Sequence, residues 1–407
     1  QRILDTLRGR DPVLVPVAIA RITAIKSKGA SKTFAALLPK RPPCEQVWMV
    51  EALAGRADAD ARAAIRALVS APDAGVRRAA IGAVGKLEDG SVVPLLVKTL
   101  AGAKSPEEFL DLEIALTGLR GGAATDQALV AAMKAGSTEV KLRLFSVLAR
   151  RGARMAVPVL LAETKGSDLA TVRAAFQSLG KLAAAEDLPA LLERLTSATP
   201  AEARAEAQFA AARAMAKVAD VSRRSQSVRE ALAKMDDLEG RCALLRLLPN
   251  APDAAALAAL ESARKDREPQ IRDAAVRALA AWPDATGWNA LIAIVQQPES
   301  GAHRALALRA LVRLAADQNA KPDAALMARY RQLLAAAQGD GDLKLILGAL
   351  AGAAHPEALQ LALPLLSSAG VLAEAELAVK KIAASIRTQH PKAAQDALKQ
   401  LNAAKPK

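Results

Sequence analysis

The sequence of 407 residues has few of the large side chains that fill compact cores. Aromatic residues make up 2%, with three Trp, one Tyr and five Phe, although hydrophobic residues reach 52%. Alanine and leucine must therefore fill the interior, and both rank highest in helix propensity. The alternating runs of Val, Ile, Thr, Tyr and Phe that a sheet would need are missing. We therefore expect an all-α protein.

Long apolar runs and cysteine pairs are also missing. No stretch of eighteen consecutive apolar residues occurs, so we predict no transmembrane helix. The two cysteines, Cys44 and Cys242, are about 200 residues apart. We expect no disulfide between them and interpret both as small buried or half-buried residues. The chain does not begin with Met, which we interpret as a processed or excised boundary.

Motifs for catalysis are missing as well. The sequence contains no GxSxG, no GxxxxGK[ST] and no GxGxxG after a strand. Its three histidines, His303, His355 and His390, lie in no HExxH motif and near no cysteine, whereas a metal site needs three or four convergent ligands. We therefore predict no catalytic, cofactor-binding or metal-ligating residues, and we place the histidines on the surface or in loops.

What the sequence does contain is a repeat of about 32 residues. The segment VRRAAIGAVGKL at Val76 is followed by VVPLLVKTL, and Val140 and Thr171 begin similar pairs. A proline follows each of these three starts after eighteen residues, where it marks the first turn of a second helix. The same register gives eleven repeat starts: Glu45, Val76, Glu108, Val140, Thr171, Ala207, Glu239, Ile271, His303, Asp342 and Glu374.

Two rows of apolar residues fix the register of these repeats. The residue eight positions after each start is apolar in all eleven repeats, and the residue five positions after is apolar in all but one, Glu113. Together the rows make one buried stripe on a helix. Longer intervals predict insertions near residues 195–206 and 315–332. Stacked helical hairpins would bury the stripes in a continuous core.

The string VRRAAIGAVGKLEDGSVVPLLVKTL resembles a HEAT repeat. This resemblance implies a right-handed α-solenoid of about eleven HEAT-like hairpins. We divide the chain into a degenerate N-terminal capping repeat (1–44), the repeat solenoid (45–384), and a C-terminal capping helix with a basic tail (385–407). The segment from IRDAAVRALAAWPDATGWNALIAI onwards resembles HEAT regions of exported planctomycete and verrucomicrobial proteins. That resemblance implies an extracytoplasmic scaffold, encoded with or fused to cytochrome or sugar-processing modules.

The charge of +14 is concentrated at the ends of the chain. Residues 1–43 hold nine Lys/Arg against two Asp, and residues 380–407 hold seven against one. The rest carries 40 basic and 39 acidic residues, so it is nearly neutral. A protein that wraps nucleic acid along its length would normally spread its basic excess over the body.

Basic residues recur two, six and ten positions after the repeat starts, opposite the apolar stripe. They predict a cationic concave face for an anionic partner, and the alternative is a solvated helix face whose charges pair with acidic residues such as Glu88 and Asp168. The candidate residues are Arg78, Lys86, Arg150, Arg173, Lys181, Arg213, Lys217, Arg241, Arg277, Arg309 and Arg313. Lys344 and Lys380 extend the pattern.

Two of the three tryptophans are the other binding candidates. Trp282 and Trp288 flank one turn and form either an aromatic patch or, more commonly, the packing of a repeat junction. Trp48 is expected in the core.

We therefore predict a non-catalytic, monomeric scaffold that binds a protein partner or organises an attached enzyme or redox module. Binding of nucleic acid or another polyanion through the basic face, as in HEAT-like DNA glycosylases, is the alternative. An accessory of the HEAT-like lyase kind is a third possibility that no residue pattern selects.

Overall fold

The computed structural model describes residues 2–9, 11–27, 29–197, 201–317 and 322–403. The chain forms two compact units, Gln1–Lys217 and Val218–Lys407. Across the described residues the structure is helical and contains no strand. The predicted all-α solenoid class is therefore confirmed.

The first unit contains fourteen α-helices among its described residues. They are α1 (Arg2–Arg8), α2 (Leu14–Arg21), α3 (Ala30–Ala35), α4 (Pro43–Arg56), α5 (Ala59–Ala67), α6 (Ala74–Leu87), α7 (Val93–Gly102), α8 (Pro106–Gly118), α9 (Gly122–Ala135), α10 (Thr138–Arg151), α11 (Val157–Glu163), α12 (Leu169–Leu182), α13 (Leu188–Thr196) and α14 (Arg204–Ala216).

The second unit contains eleven α-helices in its described part. They are α15 (Val221–Ala233), α16 (Leu238–Leu245), α17 (Ala254–Ala263), α18 (Pro269–Ala280), α19 (Trp288–Gln296), α20 (Gly301–Ala315), α21 (Ala324–Ala336), α22 (Asp340–Leu350), α23 (Pro356–Ala362), α24 (Leu372–Ile386) and α25 (Pro391–Ala403).

Short 3₁₀ helices join or extend many of these elements. They are Ile22–Ala24, Leu38–Lys40, Leu68–Ser70, Gly90–Val92, Arg154–Ala156, Ala185–Asp187, Ala201–Ala203, Leu248–Asn250, Ala285–Gly287, Leu363–Ser367 and Ala369–Val371.

All eleven predicted repeat starts lie in the even-numbered helices from α4 to α24, which we call the register helices. A return helix follows each of them in the chain, from α5 to α25. The register helices α4 to α14 stack in chain order in the first unit, and α16 to α24 do so in the second. Each unit is thus a row of hairpins, as the 32-residue repeat predicted.

The two apolar rows form the core. The eighth-position residues, from Leu53 to Ile382, are buried in all eleven repeats. The fifth-position residues are buried except Ala212, which is half-buried. The three prolines Pro94, Pro158 and Pro189 are each the second residue of a return helix, as predicted.

Side-chain caps begin many of the helices. Asp73 accepts a hydrogen bond from the N–H of Val76, and Asp168 does the same for Thr171. Each cap satisfies an N–H group that has no partner within its helix. These acidic residues therefore fix where register helices start, rather than pairing with the basic face.

The N-terminal segment contains three α-helices before the first register helix. Two of them, α1 and α2, precede the basic stretch at residues 26–32, and α3 begins within it at Ala30. Gly29 has a φ of 73°, so the turn before α3 uses a conformation that favours glycine. Residues 198–200 and 318–321 of the predicted insertions and residues 404–407 of the basic tail lie outside the described residues.

Candidate functional site

The eleven predicted basic residues lie two, six or ten positions after the repeat starts, on the side of the register helices opposite the buried rows. In each unit we call this surface the open face. Ten of the eleven predicted basic residues are exposed there, and Arg241 is half-buried. The sequence therefore predicted the exposure of these side chains, and their role in binding stays a prediction.

Several of these cations are paired within the chain. Five form ion pairs: Arg78 with Asp111, Arg150 with Glu113, Arg173 with Glu206, Arg241 with Asp266 and Arg277 with Asp273. The acidic partners lie mostly on neighbouring register helices or earlier in the same one, not in the loops that the sequence suggested. Partly exposed pairs of this kind add little stability, typically below about 1 kcal/mol each. They do reduce the net positive charge that a ligand would meet.

Two further predicted cations cap helices instead of facing a ligand. Lys217 donates its Nζ hydrogen bond to the carbonyl oxygen of Ala183, just beyond the end of α12. Arg313 donates to the carbonyl oxygens of Ala280 and Trp282 at the end of α18, at 3.2 and 2.6 Å. Helix C-termini carry partial negative charge, so basic side chains stabilise them.

The remaining four predicted cations have no ion pair or hydrogen bond with any described residue. They are Lys86, Lys181, Arg213 and Arg309. Three of them belong to the first unit, so the unpaired positive charge of its open face is concentrated on α6, α12 and α14.

Apolar side chains on the same face were missed by the sequence analysis. Leu110, Ile114 and Phe209 are 52%, 55% and 57% exposed, and they occupy second and sixth positions of α8 and α14. Trp48, expected in the core, is instead 41% exposed, because its third-position Cβ projects beside the buried stripe rather than into it. In the sequence, these apolar residues stand at positions 110, 114 and 209, where several other repeats have basic residues. This difference could have identified them as an exposed apolar group.

Close packing brings these apolar and cationic groups together across helices. A Cβ on Gly180 would meet ring carbons of Phe209 at 3.2 Å, so this ring lies against α12 next to Lys181. Arg143 stands over the ring of Phe109 at 4.4 Å, a cation–π contact between α10 and α8. The open face of the first unit therefore mixes exposed apolar side chains with unpaired cations.

The same packing explains why a polar residue, Glu113, is tolerated in the otherwise apolar fifth-position row. It is only 8% exposed, and it accepts hydrogen bonds from Arg143, at 3.0 Å, and from Arg150. One carboxylate thus joins two arginines of the next register helix. The two arginines offset the free-energy cost of burying the negative charge of Glu113.

Replacing Glu113 by leucine is expected to change the free energy of unfolding by less than about 1 kcal/mol, because partly exposed ion pairs add little stability. Both arginines are partly exposed and regain water. Urea unfolding followed by circular dichroism measures the change. Leu116→Ala in the same helix is the control, with an expected loss of about 2–5 kcal/mol. A loss above about 2 kcal/mol for Glu113→Leu would mean that this carboxylate holds α8 against α10.

A second set of arginines, one position after the repeat start, was not singled out from the sequence. Arg77 pairs with Glu108 at 3.0 Å and donates to the carbonyl oxygens of Ala71 and Pro72. Arg272 and Arg304 make the same kinds of contact in the second unit, with Glu299 and Asp342. These side chains tie consecutive hairpins together, so their role is structural.

The remaining aromatic and ionisable candidates mostly belong to the core or to caps. Trp282 and Trp288 are buried, and their N–H groups donate to Thr286 and Gln332 at 2.9 and 2.6 Å, which confirms junction packing. His303 corrects the surface prediction, because it is buried with its Nε2 3.1 Å from Asp273.

His355, as predicted, lies at a loop-to-helix junction, and its Nδ1 accepts the N–H of Glu357. His390 is exposed, also as predicted. Both cysteines are free, but Cys44 is exposed rather than buried or half-buried.

Within the described ranges, no group of three His, Cys, Asp or Glu residues is arranged to hold a metal ion. None of the helices in the same ranges is long and apolar enough to cross a membrane.

Comparison with known proteins agrees with this architecture. Residues 30–115 and 127–212 match the family model described as HEAT repeats. No curated protein sequence matches the chain. These two segments are thus similar to HEAT repeats, and the fold of the chain is that of an all-α solenoid.

Solved structures with a similar fold include a karyopherin, Kap121p, in several complexes. Kap121p bound to the SUMO protease Ulp1p has a TM-score of 0.60 and 14% identity, covering 96% of this chain and 49% of that one. Kap121p bound to the extreme C-terminus of the protein phosphatase Cdc14p has a TM-score of 0.57 and 13% identity, covering 97% and 52%. The chain thus spans about half the length of these karyopherin structures. At this identity the likeness shows the fold alone.

Proposed function

We propose that the chain is a non-catalytic scaffold that binds a protein partner on the open face of its first unit. The observation that carries this proposal is the exposure of Leu110, Ile114 and Phe209 on the same surface as unpaired cations. Aromatic and apolar side chains surrounded by charge are typical of protein interfaces. The karyopherin structures with a similar fold hold protein partners, which supports the proposal.

The chemistry of this surface selects an acidic partner segment with apolar side chains. Lys86, Lys181 and Arg213 offer positive charge, and Ile114 and Phe209 offer apolar area. A segment with Leu or Phe between Asp and Glu residues would match both features. The resemblance to HEAT regions of exported bacterial proteins supports a further proposal, that the scaffold organises an attached or co-encoded enzyme or redox module outside the cytoplasm.

Nucleic-acid or polyanion binding is the second candidate function, favoured by the same unpaired cations and the basic ends. Opposing it, five of the eleven predicted cations are already paired with carboxylates of the chain. Exposed apolar side chains also contribute nothing to contacts with phosphates. The structural features therefore favour the protein partner.

The test is selection of binding peptides from a displayed library of random segments, followed by affinity measurement. We expect acidic peptides with Leu or Phe, and we expect Ile114→Ser or Phe209→Ser to weaken them at least about tenfold, as truncation of interface anchors does. Met155→Ser, which changes an exposed apolar residue outside the open face, is the matched control and should leave affinity unchanged.

Two results would contradict the proposal. One is a set of selected peptides whose affinity is insensitive to Ile114→Ser and Phe209→Ser while the variants keep the wild-type thermal transition. The other is binding to a DNA duplex at low salt that falls steeply as salt rises and ignores the apolar substitutions, since that dependence reflects contacts with phosphates. The second result would establish the alternative function.

A further inference from the structure

The open face of the first unit has a different chemistry at the two ends of its register helices. From α6 to α14, none of the residues two, six or ten positions after a repeat start is Asp or Glu. The second positions are Arg78, Leu110, Leu142, Arg173 and Phe209, and the tenth positions are Lys86, Gly118, Arg150, Lys181 and Lys217. One row therefore holds most of the apolar residues of the face, and the other holds most of its cations.

The second-position row offers apolar surface and little free charge. Leu110 and Phe209 are 52% and 57% exposed, and Leu142 is half-buried. The two arginines of this row both form ion pairs with carboxylates of the next register helix, as described above. We call Leu110, Leu142 and Phe209 the apolar edge.

The tenth-position row is basic. Lys86 and Lys181 are exposed and have no ion pair or hydrogen bond with a described residue. Arg150 pairs with Glu113, and Lys217 caps the end of α12. We call Lys86, Arg150, Lys181 and Lys217 the basic edge. A partner that lies across the register helices thus meets apolar surface on one side and positive charge on the other.

The spacing of the two edges matches the dimensions of an α-helix. Eight residues separate the rows, so the edges are about 12 Å apart, and a helix with its side chains is about 10–12 Å wide. Packed helices lie about 8–10 Å apart, which is close to the rise of about 10.5 Å over seven residues of a partner helix. Side chains on one side of an extended segment recur every 6.4–6.8 Å or so, which does not match this interval.

The middle of the face offers little to the backbone of an extended segment. The sixth positions from α6 to α14 are Gly82, Ile114, Ser146, Gln177 and Arg213, which include a single amide side chain. The described part of the chain contains no strand whose edge an extended segment could join. Backbone N–H and C=O groups against the apolar edge would therefore lack partners, whereas a helix satisfies most of these groups within itself.

We propose that the partner segment is an amphipathic α-helix that lies across α6 to α14, with its apolar side on the apolar edge and an acidic side on the basic edge. This inference rests on the proposed function, because it specifies the partner of the same face. The register helices α6 to α14 stack in chain order, so four intervals separate the first from the last. The partner helix then spans about 32–40 Å and holds about 21–27 residues.

The test uses the full chain and a synthetic peptide of three heptads, with Leu on one side of the helix and Glu on the adjacent side. Fluorescence anisotropy measures the affinity, and the carbon chemical shifts of the labelled peptide show its bound conformation. We expect saturable binding and helical shifts along all three heptads. A variant with one central proline cannot continue the helix and should bind at least about tenfold more weakly. A scrambled peptide of the same composition, which has no apolar side, should be weakened as much.

Variants of the protein test each edge. Lys86→Glu combined with Lys181→Glu should weaken the peptide at least about tenfold, and a peptide with Lys in place of Glu should bind this double variant better than the wild-type protein. Lys134→Glu makes the same charge change on the return helix α9, outside both edges, and should leave the affinity unchanged. Leu142→Ser should weaken the peptide at least about threefold, because the partner helix crosses α10.

Several outcomes would overturn the helical partner: extended shifts in the bound peptide, equal affinity of the proline variant, or an affinity that ignores the variants of both edges. Displacement of the peptide by a DNA duplex at low salt, with no effect of Leu142→Ser, would instead assign the face to nucleic acid. The proposed function is tested separately by the displayed library. If library peptides depend on Ile114 and Phe209 while the helical peptide does not bind, this inference fails and the proposed function stands. If neither kind of peptide depends on the open face, both fail.

Discussion

Replacing Arg151 by alanine is expected to lower the free energy of unfolding by about 3 kcal/mol, the scale of breaking a buried ion pair from one side. The Arg151 side chain is 8% exposed and donates to Asp126 and to the carbonyl oxygens of Leu116, Thr117 and Leu119. Alanine leaves all of these acceptors without their donor. An acceptor that stays buried loses its protein partner and gains no water, so the loss is greater than for an exposed pair.

The neighbouring residue Arg150 is the matched control for Arg151. The side chain of Arg150 is 36% exposed. When Arg150 is removed, its partner Glu113 keeps its hydrogen bond to a second arginine, Arg143. We expect Arg150→Ala to cost about 1 kcal/mol or less, as for other partly exposed pairs. Urea unfolding gives both values, and hydrogen exchange of the amides in α8 and α10 shows where protection is lost. Equal losses for the two variants would contradict the capping role of Arg151.

Arg151→Lys separates charge from geometry. Lysine keeps the positive charge but not the planar fork, so it reaches fewer of the carbonyl oxygens. We expect an intermediate loss. A lysine variant as stable as the wild-type protein would mean that the charge at the helix end suffices.

The second large effect is expected at Gly85, where α6 packs against α8. A Cβ on Gly85 would stand 2.5 Å from the Cα and 2.9 Å from the carbonyl oxygen of Ala115. These are backbone atoms, so the helices themselves must separate. We expect Gly85→Val to destabilise the protein by about 3 kcal/mol, at the upper end of overpacking effects.

Gly82, one turn earlier in the same helix, provides the control. A Cβ there meets nothing within 4 Å, so alanine removes the entropic cost of glycine without a clash. Gly82→Ala should therefore raise the free energy of unfolding by about 0.5–1 kcal/mol. Thermal and urea unfolding of both variants test the pair. Stability of Gly85→Val within about 1 kcal/mol of wild type would show that the two helices can move apart without loss of packing.

Much of the fold follows from local sequence patterns. The buried rows from Leu53 to Ile382 and the return-helix prolines were readable because helix periodicity and the position of proline are local properties. The spacing of the repeat starts then predicted which helices stack. The exposed positions of the basic residues followed from the same periodicity.

The candidate site was less predictable. Whether Arg173 faces a ligand or pairs with Glu206 depends on the distance between two helices 33 residues apart in sequence. Trp48 was expected in the core because its position is next to the buried row, and the packing between helices decides how far such a position is exposed. Neither the distance between the two helices nor the exposure of Trp48 can be read from the sequence.

The shortage of aromatic residues determines the fold class of this protein, which is all-α. Alanine and leucine at helical spacing can fill a core only by close packing of many helices. The tertiary structure alone decided which cations stay unpaired and which cap a neighbouring helix. The physical reason is that hydrogen bonds, ion pairs and cavities depend on separations of a few ångströms between different repeats. A repeat pattern fixes the order of its helices but not those separations.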